Sequence, residues 1–141
     1  MVYAPNRHEA RDFFFTAWER YRNSAPLSEL ERIAVGIIAL HPEYHTLLEA
    51  HERNVDADFT PEQGQLNPFL HLSLHLGIAE QLAVDRPQGV RAEVERLART
   101  HGDEHRALHD ALECLGEVMW DAQRSGTPPD PLAFLEKLRR K

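Results

Sequence analysis

Residues 67–81, NPFLHLSLHLGIAEQ, suit a helix and little else. Asn67 can cap the first free amides, and Pro68 fits a first helical position because its missing N–H is not needed there. At about 100° per residue, Phe69, Leu72, Leu76, Ile78, Ala79, Leu82 and Ala83 fall on one arc with His71. Ser73, Glu80 and Gln81 fall outside it. His71 and His75 sit inside the apolar arc, one turn apart, with Cβ atoms roughly 6 Å from each other. Two imidazoles aimed together into a core need a chemical reason, and a metal ion is the first to consider.

The remaining chain repeats the helical period. Asn6 and Glu9 resemble a capping box before a stripe of Ala10, Phe14, Ala17 and Tyr21, with Phe13 and Trp18 beside it, giving a helix over 7–23. Ser28 and Glu31 form a second box before Ile33, Ala34, Ile37, Ile38 and Leu40. At His41-Pro42 a kink or restart is expected, because a residue before proline avoids the α region. Tyr44, Leu47 and Leu48 then carry a stripe to about residue 51. The pattern lapses over 53–66, which reads as a long loop. A further helix is expected from the Asp85-Arg86-Pro87 start, with Val90, Val94, Leu97 and Ala98 inward and Gly102 as its stop. Asp103 caps the longest segment, 104–124, and residues 125–131 form a hinge before a short helix over 132–141. Strand-like alternation is absent. The expectation is an all-α, single-domain bundle over 1–141, with four or five principal helices and a short C-terminal one.

Composition narrows the function. A net charge of −7 over 141 residues argues against nucleic acid and against an anionic membrane as partners. One cysteine, Cys114, excludes an intramolecular disulfide and fits a reducing compartment. No apolar run is long enough to span a bilayer, and the N-terminus lacks a signal-peptide core, so a cytoplasmic location is expected. Ser73 falls on the polar side of its helix and no nucleophile elbow or phosphate-cradling glycine loop occurs, so a serine hydrolase or nucleotide enzyme is disfavoured. Cys114 reads as a core thiol and Trp120 as packing.

Three helical segments carry a one-turn pair of metal-ligand type: His45/Glu49, His71/His75 and His105/His109, with Glu113 a turn beyond the last. Imidazole and carboxylate suit zinc, iron or manganese, and helix bundles build metal sites from such inward pairs. His41, His51 and His101 read as helix-end or solvent residues. The segments HPEYH, NPFLHLSLH and EHRALH with ECLGEVMWDAQR resemble an uncharacterised bacterial family, a domain of unknown function, across nearly the whole chain. That resemblance implies a small stand-alone protein and supplies no chemistry. The ligand pattern is also similar to hemerythrin-like bundles, which implies two irons held by His45 with Glu49, His71 with His75, and His109 with Glu113. Two departures stand out: His8 alone is available for that pattern's N-terminal histidine, and the last carboxylate spacing is one residue short. A mononuclear site of three histidines is the other metal reading. The metal-free alternative is a helical interaction or structural module whose histidines bond backbone carbonyls.

Overall fold

The computed structural model describes residues 7–50 and 67–141. The loop expected over 53–66, His51, the Asn6 cap and the side chain of His8 lie outside them. Among the described residues the protein is all-α, with no strand. It groups into two compact units, Met1–Gly77 and Ile78–Lys141.

The first unit begins with α1 (Arg7–Arg22), whose Phe14, Phe15, Ala17 and Trp18 are buried. Helix α2 (Glu29–Ala39) starts on a complete capping box. The Glu31 amide donates to Ser28 Oγ at 3.1 Å, and the Ser28 amide donates to Glu31 Oε1 at 2.8 Å. The same carboxylate pairs with Arg20 on α1 at 3.1 Å. Ala34, Val35 and Ile38 of α2 then join the α1 stripe in one core. Leu40, expected in that stripe, is instead the exposed C-cap, because α2 ends at Ala39. Beyond it come a 3-10 turn (Pro42–Tyr44) and the four-residue α3 (His45–Leu48), which adds Leu48 to the core. Tyr21, in the last turn of α1, stays half exposed although its ring stacks on Trp18.

Helix α4 (Pro68–Val84) opens as its sequence dictates. Asn67 Oδ1 accepts from the amides of Phe69 at 3.0 Å and Leu70 at 3.3 Å. Its first ten residues belong to the first unit, where Phe69, Leu72 and Leu76 complete the core. Ser73 departs from expectation: it is 5% exposed rather than on a polar face. Residues 72–78 (LSLHLGI) place apolar or small groups on almost every side, so this part of α4 has no solvent face to give Ser73.

The second unit holds the end of α4 with α5 (Val90–His101), α6 (Glu104–Ser125) and α7 (Pro131–Arg140). Helix α5 starts later than the sequence implied. Residue Asp85 turns back in a left-handed conformation, and its carboxylate accepts from the Arg91 amide at 3.0 Å, capping α5 from six residues away. Gly102 and Gly126 end α5 and α6 with positive φ, which a glycine adopts without strain. Asp103 and Asp130 cap the helices that follow. Three apolar stripes meet in the core: Val90, Val94 and Leu97; Ala107, Ala111, Leu115 and Val118; Phe134, Leu135 and Leu138. Arg96 donates to the Leu138 carbonyl at 3.0 Å, beside the Lys141 amide at 3.1 Å, and so ties α5 to the end of α7. Trp120, expected to pack, is 63% exposed on α6.

Candidate metal centre

Three histidines of the first unit meet in its interior. His71 and His75 come from α4 at the one-turn spacing that the sequence displays, and His41 comes from the junction after α2. His41 is 5% and His75 is 3% exposed. The ring centroids are 4.9 Å apart for His41 and His71, 4.8 Å for His41 and His75, and 4.9 Å for His71 and His75. One ring nitrogen from each lies within 4.8 Å of the others.

The end of α2 sets the orientation of His41. A helix leaves its last carbonyls without intrahelical donors. His41 Nδ1 is 2.8 Å from the Ile37 carbonyl. A carbonyl only accepts, so Nδ1 carries a proton, and the tautomer able to bind a metal is the one with its lone pair on Nε2. That Nε2 is 3.1 Å from Nε2 of His71. Two nitrogens each bound at 2.0–2.1 Å to one tetrahedral zinc would stand about 3.3–3.4 Å apart, so the separation suits a shared ion. It also suits an N–H···N hydrogen bond donated by His71. Tyr44 covers the cluster, its ring parallel to His41 within 9° and edge-on to His71. Burial, and then the neighbouring Glu43 carboxylate, push the Tyr44 phenol above its usual range, so it stays neutral.

Two of the sequence candidates, His45 and Glu49, have different partners. His45 Nε2 donates to the Ile38 carbonyl at 3.0 Å, and its ring lies 4.5 Å from Trp18. Glu49 accepts from Trp18 Nε1 at 3.4 Å and lies 3.8 Å from Arg22. Neither joins the histidine cluster. His45 thus shares the Ile38 carbonyl at the end of α2 with the His41 amide, and Glu49 meets Trp18 and Arg22 of α1. In the second unit His105 and His109 do pair, with centroids 4.2 Å apart on α6. Glu113 is exposed and binds Lys141 at 3.1 Å. His101, read as a helix-end or solvent residue, bonds Asp110 at 2.6 Å. Burial pushes the Cys114 thiol up, as an inert core cysteine requires. His41, also read as a helix-end residue, is the ligand-type side chain that sequence periodicity missed.

A family model described as a domain of unknown function (DUF1841) matches residues 6–140. The chain belongs to that family. No curated protein and no solved structure matches it. All of the metal-ligand candidates therefore lie within the DUF1841 domain, and the family contributes no activity to weigh against them.

Proposed function

We propose that the protein binds one transition-metal ion through His41, His71 and His75. The observation that carries this is the convergence of three buried-to-half-buried imidazoles from two elements, with two Nε2 atoms 3.1 Å apart. Histidine ligands characteristically bond a backbone carbonyl through the second ring nitrogen, and His41 has that arrangement with Ile37. An imidazole set favours zinc or iron over magnesium, calcium or manganese, which prefer oxygen. Three neutral ligands leave the ion its full charge and leave room for a further ligand, as in zinc sites of the catalytic type.

This favours a mononuclear site over the two-iron arrangement. His45 and Glu49 are occupied by Ile38, Trp18 and Arg22, so a carboxylate expected to hold a second iron is turned towards α1. The metal-free reading rests on the same 3.1 Å contact taken as a hydrogen bond. Elemental analysis of untagged protein, equilibrated with zinc or iron and freed of excess, separates the two. Close to one ion per chain in the wild type, lost in His41→Ala and in His75→Ala, supports the metal site. Wild-type protein that retains no ion sinks it.

A further inference from the structure

We infer that Tyr44 is a positioning residue for the proposed metal: it acts through His41, whose ring plane it holds, and is not itself a ligand. The inference rests on the metal reading above.

The local backbone brings the two rings together. Pro42 opens a 3-10 turn, closed by the Tyr44 amide donating to the His41 carbonyl at 2.9 Å. With three residues per turn, side chains at positions i and i+3 eclipse one another. His41 and Tyr44 hold those positions, and their rings lie within 9° of parallel, 5.5 Å between centroids. His41 is thus fixed twice. The Ile37 carbonyl holds its Nδ1 edge, and the Tyr44 ring holds its face. One edge remains, and its Nε2 faces His71. Tyr44 also meets His71 edge-on at 6.0 Å, so one ring braces two of the three proposed ligands.

A flat apolar face is all this role needs, so Tyr44→Phe should keep it and Tyr44→Leu should lose it. Zinc affinity is read by competition with a chromophoric chelator, and geometry by the visible absorption of the cobalt-substituted protein. The phenylalanine variant is expected within about 2-fold of wild type with an unchanged cobalt spectrum. The leucine variant is expected to bind about 10–100-fold more weakly, the range for residues that orient ligands, with an altered spectrum. Circular dichroism establishes that each variant is folded, and Tyr44→Met puts the same question if the leucine variant is not. A non-aromatic variant with wild-type affinity and spectrum overturns the inference while leaving the metal site standing. A wild type that binds neither zinc nor cobalt removes the metal site and this inference with it.

Discussion

His41 and His45 show how four residues of separation can divide two tasks. Both rings donate to the last carbonyls of α2, His41 to Ile37 and His45 to Ile38. Only His41 then directs its second nitrogen at another imidazole. His45→Ala should therefore leave metal content unchanged while costing stability, by about 1–3 kcal/mol for a lost hydrogen bond and an emptied contact with Trp18, measured by urea denaturation. Equal metal loss in His45→Ala and His41→Ala would contradict this division. The pairs within one helix were legible in the sequence, because His71 and His75 share a face by their spacing alone. His41 was not: its place depends on a 3-10 turn and on a contact reaching 30 positions along the chain, which no single-element period displays. The signal available was HPEYH itself, directly after an apolar helix end where the regular helical ladder stops. Glu31 offers a second test at this scale. The Ser28 backbone amide, then its hydroxyl and Arg20, hold the Glu31 carboxyl below its usual range against the opposing effect of burial. A depressed folded value means that its contribution is present above about pH 4.3 and is lost as pH falls through the folded value. Glu31→Gln should therefore lose less stability than wild type between about pH 4.5 and pH 3.

Among the elements, the caps were the most readable parts. Ser28, Asn67, Gly102 and Asp103 each stand where the sequence put them, because a cap is a local match between one side chain and the next two or three amides or carbonyls. Ser28→Ala should cost about 1 kcal/mol, read from thermal or urea unfolding. The start of α5 was less readable, since Asp85 reaches its amides across a turn of six residues. The solvent side of α4 is hard to read for a different reason. An arc drawn on one helix marks its most apolar face but not how much of the remainder is covered, and Ser73 is covered. Helix α7 anchors in the second unit through Phe134, which is 1% exposed. Phe134→Ala should destabilise the protein by about 3–5 kcal/mol, read from urea unfolding, by removing its buried area and leaving a cavity.

At the scale of the whole molecule the helical architecture follows from period and caps, and circular dichroism of the chain should be dominated by helix. The site is a matter of packing between segments, so it had to wait for the fold. If His41, His71 and His75 share an ion, metal should stabilise the folded chain, by about 2.7 kcal/mol at a free concentration 100 times its dissociation constant. That gain should vanish in His75→Ala. No described helix is long and apolar enough to cross a membrane. The central claim meets its most direct test in zinc-edge X-ray absorption of untagged, zinc-loaded protein. The account predicts nitrogen neighbours at about 2.0–2.1 Å with the outer-shell scattering of at least three imidazole rings, reduced in His41→Ala and in His75→Ala. A shell of oxygen neighbours without imidazole scattering, or a wild-type spectrum unchanged by either substitution, would contradict it.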